Sequence, residues 1–99
     1  MSDSGISAAD VRLSARVRGV VQGVGFRYWT ARKAEELGLS GTVRNCDDGA
    51  VAVVVEGPPL AVIEFRRWLR SPEAPGRVAE VEESLAPADG SYAEFRIVG

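Results

Sequence analysis

Between Val11 and Leu37 the chain changes its hydrophobic period once, and it does so across the closely spaced glycines Gly19, Gly23 and Gly25. Val11, Leu13, Ala15 and Val17 alternate with Arg12, Ser14, Arg16 and Arg18, the period-2 pattern of a half-buried strand. From Arg27 to Leu37 the repeat lengthens: Phe26, Thr30, Ala34 and Leu37 fall near one helical stripe, and Gly38 supplies a stop signal. A strand therefore feeds a helix through a glycine loop, with Arg27 at the junction. The first N–H groups of a helix have no intrahelical partner, and the helix dipole adds partial positive charge there, so anions are attracted. A guanidinium at the same point offers a planar fork to phosphate oxygens. The arrangement predicts a phosphate cradle formed by Gln22, Gly23, Val24, Gly25, Phe26 and Arg27. Taken alone, the glycines also fit a sharp turn with Arg27 as a solvated helix-start residue.

Two familiar glycine motifs are excluded. The run Gly23-Val24-Gly25-Phe26-Arg27-Tyr28 has Tyr28 where a dinucleotide fingerprint needs its third glycine, and Asp47 and Asp48 fall in a turn, not at the end of a second strand. The Walker pattern fails because the single lysine, Lys33, lies inside the expected helix.

Downstream, Leu39–Cys46 fits a second strand, Asp48-Gly49 a tight turn, and Ala50–Glu56 a valine-rich third strand, together a hairpin. Gly57-Pro58-Pro59 leads into a helix over Leu60–Arg70, with Val62, Phe65 and Leu69 at helical spacing and Ser71-Pro72 as its stop. Val78–Leu85 reads as a weaker, acidic strand, and Ala93, Phe95 and Ile97 as alternating positions of a last one. The order β-α-β-β-α-β, with its final strand unit divided in two, predicts an α+β, ferredoxin-like split βαβ sandwich: two helices on one face of a mostly antiparallel sheet. The aromatics Phe26, Tyr28 and Trp29 are expected to pack in the core or along the helix flank. Residues 11–99 form one domain; Met1–Asp10, polar and small, is expected to be a flexible tail and has neither the basic start nor the apolar core of a secretory signal.

Composition narrows the chemistry. The chain has no histidine and one cysteine, Cys46. That excludes an internal disulfide, a histidine-containing metal site, and a Ser–His or Cys–His catalytic pair. A single thiol fits a reducing, cytoplasmic setting. A net charge of −2 disfavours a nucleic-acid partner despite 11 arginines, and no apolar run has membrane-spanning length. Cys46 is expected to be a structural or surface thiol, since no neighbour suggests activation.

A second element is Gly41-Thr42-Val43-Arg44-Asn45, ending just before the Asp48-Gly49 turn. An asparagine amide carries both a donor and an acceptor and can hold a water in a chosen orientation; it can equally bond its own backbone at a strand end. In a split βαβ fold the loop after the first strand can approach the end of the second, at a distance the sequence does not give. The string Val21-Gln22-Gly23-Val24-Gly25-Phe26-Arg27, with Asn45, Gly49 and Val51 at their spacing and Gly57 beyond, closely resembles the acylphosphatase family over roughly residues 11–99. The resemblance implies a small enzyme that hydrolyses the mixed anhydride of acyl phosphates to a carboxylate and orthophosphate. It implies that Arg27 and loop amides bind the phosphate and that Asn45 positions the attacking water. It implies no cofactor and no metal, and acyl phosphate and inorganic phosphate as the molecules bound. One departure is Thr42, where the family usually carries an aromatic expected to pack against or shield the site.

The expected protein is a monomer without membrane or nucleic-acid partners, and its ending at Gly99 favours a stand-alone enzyme over a domain of a larger carbamoyl-phosphate-processing one. A non-enzymatic regulatory module that binds a phosphorylated metabolite would share the cradle without needing Asn45. RNA binding on the sheet is disfavoured by the acidic balance and the lack of aromatic motifs on the strands.

Overall fold

The alternation in the first strand sets the centre of the sheet. In a computed structural model, which describes residues 9–99, β1 (Val11–Val20) lies between two antiparallel neighbours, β3 (Val51–Gly57) and β4 (Arg77–Pro87). Beyond β3 come β2 (Ser40–Asn45) and then β5 (Phe95–Ile97), which runs parallel to β2. The helices are α1 (Phe26–Glu36), between β1 and β2, and α2 (Pro59–Leu69), between β3 and β4. This is the predicted ferredoxin-like order, with two helices on one face of a mostly antiparallel sheet. The expected tail falls at residues 1–8 outside the described residues; Asp10 is described, and its carbonyl accepts the Ala88 N–H at 3.1 Å.

The register shows why the alternation matters. Leu13 faces Val55, Ala15 faces Val53 and Val17 faces Val51, all six side chains buried. Against them pack Phe26 and Ala34 of α1 and Val62, Phe65 and Leu69 of α2. Burial of a large aliphatic or aromatic side chain is worth about 1.5–3 kcal/mol, so this shared layer dominates the stability. Trp68 bridges the helices, its ring centroid 6.2 Å from Phe26 and 6.0 Å from Phe65. Of the three aromatics expected to pack near the start of α1, Phe26 alone enters the core. Tyr28 and Trp29 are each 49% exposed and pack edge to face on each other at 5.1 Å, along the helix flank.

The acidic character of β4 has a cross-strand cause: Glu82 and Glu80 sit opposite Arg16 and Arg18 on β1. Pairing along the whole of β1 also extends β4 to Arg77 and Pro87, beyond the Val78–Leu85 expected. Gly41 explains itself sterically. Its φ is +140°, and a Cβ there would stand 1.8 Å from the Val54 carbonyl oxygen. Among the described residues, no helix is long and apolar enough to cross a membrane.

A charged tether joins α2 to β4. Glu83 is mostly buried and accepts from Arg66 and, at 3.1 Å, from Arg70. Burial raises its carboxyl pKa, but the two guanidinium bonds outweigh burial and hold it below the usual carboxylate value. A lowered folded-state pKa stabilises above the unfolded value, and that stability is lost as pH falls through the folded one. Glu83→Gln should therefore lose about 1–2 kcal/mol at pH 7, the scale of a charged hydrogen bond. The gap to the parent should close towards pH 3, measured by urea unfolding across that range.

Candidate active site

The loop after β1 is built to leave a helix start open. Val21 is buried and pins the chain as it leaves the strand, while Gly23 and Gly25 take φ of 78° and 80°, the left-handed region that side chains disfavour. Gly25 is the N-cap of α1, with no side-chain cap bond and no acidic residue in the first turn. The first intrahelical bond runs from the Trp29 N–H to the Gly25 carbonyl at 3.1 Å. The N–H groups of Phe26, Arg27 and Tyr28 therefore lack intrahelical acceptors and sit at the positive end of the dipole. The buried Phe26 side chain fixes where that end points.

Strand register supplies the other half. Val17 of β1 pairs with Val51 of β3, and Val51 pairs with Asn45 of β2, so the three lie in one row across the sheet. Asn45 thus ends β2 beside the loop that leaves β1. A cavity of about 230 Å³ forms there. Gly23, Gly25, Phe26 and Arg27 line one side and Asn45 another, with Val21, Tyr28 and Ile97 as apolar walls. Arg27 makes no ion pair among the described residues, unlike Arg18 at the end of β1, which holds Asp48 at 2.9 Å. The Oδ1 of Asn45 is buried without a hydrogen-bond partner among the described residues. Buried polar atoms are nearly always paired; Thr30 Oγ1 and Arg66 Nε are likewise unpartnered among the described residues, but neither residue lines this cavity. Among the described residues, no carboxylate lines the cavity.

A larger hollow of about 550 Å³ lies near Glu56, but its buried carboxylate is already paired. The Glu56 carboxylate accepts from Arg12 Nε at 2.7 Å and from the Gly90 N–H at 3.2 Å. Size therefore does not select the site; unpaired polar groups do.

Gln22, Val24 and Thr42 sit otherwise than expected. Gln22 and Val24 belong to the loop but do not line the cavity. Gln22 instead directs its amide nitrogen to the carbonyls of Cys46 and Ala50, 2.9 Å each. Thr42 lies one strand position off the buried Gly41 and Val43, which places it on the sheet face away from the helices and out of the cavity lining. It cannot shield the site as an inward-facing residue would. Cys46 is buried and unbridged, its N–H closing the β2–β3 turn on the Ala50 carbonyl at 2.8 Å. Two residues were missed as cavity walls. Tyr28 carries no local signal beyond helix periodicity, and Ile97 reaches the site only through the parallel pairing of β5 with β2.

This geometry has close relatives. The acylphosphatase family model matches residues 13–97. An acylphosphatase of Arthrobacter sp. (strain FB24) is 71% identical over 89 residues, covering 90% of this chain and 82% of that protein. One of Paenarthrobacter aurescens (strain TC1) is 56% identical over 88 residues, covering 89% and 94%. The crystal structure of acylphosphatase from Bacillus subtilis superposes with a TM-score of 0.82 at 33% identity, over 90% of this chain and 99% of that one. Sequence, fold and the loop-to-helix motif agree: the chain belongs to the acylphosphatase family of hydrolases.

Proposed function

We propose that the chain hydrolyses the carboxyl–phosphate mixed anhydride of acyl phosphates by attack of water at phosphorus. The observation that supports this most directly is that Arg27, at an uncapped helix start, and Asn45, with a buried unpaired amide oxygen, line the same cavity. The phosphoryl oxygens sit against the Arg27 guanidinium and the N–H groups of Phe26 and Arg27. The side-chain amide of Asn45 holds a water with a lone pair of the water oxygen turned towards phosphorus.

The chemistry follows from what lines the cavity. The water oxygen bonds to phosphorus as the P–O bond to the acyl group breaks, and that electron pair leaves on the carboxylate. A carboxylate is a good leaving group and needs no general acid. A loose phosphoryl transition state spreads charge over equatorial oxygens, where fixed donors and a guanidinium stabilise it. With no carboxylate or imidazole beside the site, the proton of the water passes to a phosphoryl oxygen, giving orthophosphate. No metal or cofactor is assigned a step. The acidic balance supports the absence of a nucleic-acid partner, and the lone cysteine a reducing, cytoplasmic setting; we assign a monomer.

Turnover of a model acyl phosphate in excess chelator tests the reading. Asn45→Ala should lower kcat by about 100-fold or more, the scale of one lost catalytic donor, with inhibition by phosphate little changed. Full turnover in the folded variant would refute the water-positioning role, whereas phosphate binding without turnover by the parent would favour a binding module. Arg27→Lys should lower kcat/KM by at least about 100-fold, because an ammonium cannot reproduce the two-pronged contact. Unchanged phosphate inhibition in that variant would refute the cradle.

A further inference from the structure

The Gln22 side chain leaves the phosphate loop and crosses to the turn that follows Asn45. Its Nε2 stands 2.9 Å from the Cys46 carbonyl oxygen and 2.9 Å from the Ala50 carbonyl oxygen, the two residues that close the β2–β3 turn. Both neighbours are acceptors, so the nitrogen and not the oxygen of the amide must face them. An amide nitrogen has two hydrogens, and these two bonds use both. Gln22 therefore has no side-chain donor left for a phosphate, and its remaining oxygen would repel one.

The turn does not need Gln22 to be satisfied. The Cys46 carbonyl already accepts the Gly49 N–H at 3.2 Å, and the Ala50 carbonyl accepts the Cys46 N–H at 2.8 Å. What the two additional bonds add is a direct tie between the loop that carries Arg27 and the residue next to Asn45. A second tie to this turn, Arg18 to Asp48 at 2.9 Å, starts from β1 and not from the loop, and it is exposed. It can hold the hairpin near the sheet, but it does not set the loop against Asn45.

We propose that Gln22 is a positioning residue that fixes the spacing between the Arg27 cradle and Asn45, and is not a ligand of phosphate. The inference rests on the water-positioning reading of Asn45. The strand register brings the two motifs together, and this one side chain, whose partners are backbone atoms, sets their final spacing. Loss of the tie lets the loop and the strand end drift, and misplacement by about 1 Å can cost about 100-fold in rate.

Gln22→Met keeps the length of the side chain and removes both donors, while the turn keeps its own backbone bonds and the Arg18–Asp48 pair. The variant is measured alone and in an Asn45→Ala background, for kcat on a model acyl phosphate, for inhibition by inorganic phosphate, and for thermal midpoint. The expected result is a fall in kcat of about 10- to 100-fold with phosphate inhibition changed less than about twofold, and with little further fall on top of Asn45→Ala. A kcat equal to the parent, whatever the thermal midpoint, would overturn the proposal. So would phosphate inhibition that weakens in step with kcat, which marks a direct contact, or a loss carried over in full on top of Asn45→Ala. Full turnover in Asn45→Ala alone would refute the reading beneath it, whereas normal kcat in Gln22→Met beside an impaired Asn45→Ala would remove only this inference.

Discussion

The antiparallel register of β1, β3 and β2 is the constraint on which the site depends. Leu13, Ala15 and Val17 can bury themselves only opposite Val55, Val53 and Val51, and the same valines fix β2 on the other side. A slip of one residue would turn each of these rows to the opposite face. Asn45 therefore reaches the cavity because a row of valines is buried. The hydrophobic layer and the lining of the cavity share one register.

On that frame the loop after β1 takes the opposite course from an ordinary helix entry. Most helices start on a Ser, Thr, Asp or Asn side chain that occupies the free N–H groups. Here Gly25 occupies the cap position in a left-handed conformation and offers no side chain, and no acidic residue follows in the first turn. With glycine at the cap position, the forgone side-chain bond costs only about a few tenths of a kcal/mol of helix stability. Phe26 offsets it by anchoring the helix start in the core against Trp68. What remains is a set of oriented donors beside a guanidinium with no carboxylate partner.

The parts legible in the sequence are those set by local period and turn chemistry. The alternation at Val11–Val17, the stripe at Phe26, Thr30 and Ala34, and the Asp48-Gly49 turn each encode their element within a few residues, and the resulting order identified the fold. Arg27 and Asn45 were legible as residues because their motif is specific; that they share a cavity required the register. Contacts formed by non-local pairing were not legible. Ile97 becomes a wall of the site only because β5 runs parallel to β2, and the glutamine amide can cross to Cys46 and Ala50 only after the hairpin has docked. The face on which Thr42 lies follows from counting along β2 from buried Val43, which the resemblance to the family motif does not itself give.

The central claim is that this register aims a water at phosphorus and not at the acyl carbon. Hydrolysis of a model acyl phosphate in water enriched in oxygen-18, with mass analysis of both products at single turnover, tests it most directly. Attack at phosphorus places one labelled oxygen in the orthophosphate and none in the carboxylate. Label in the carboxylate would mean that the C–O bond breaks, and would contradict the account.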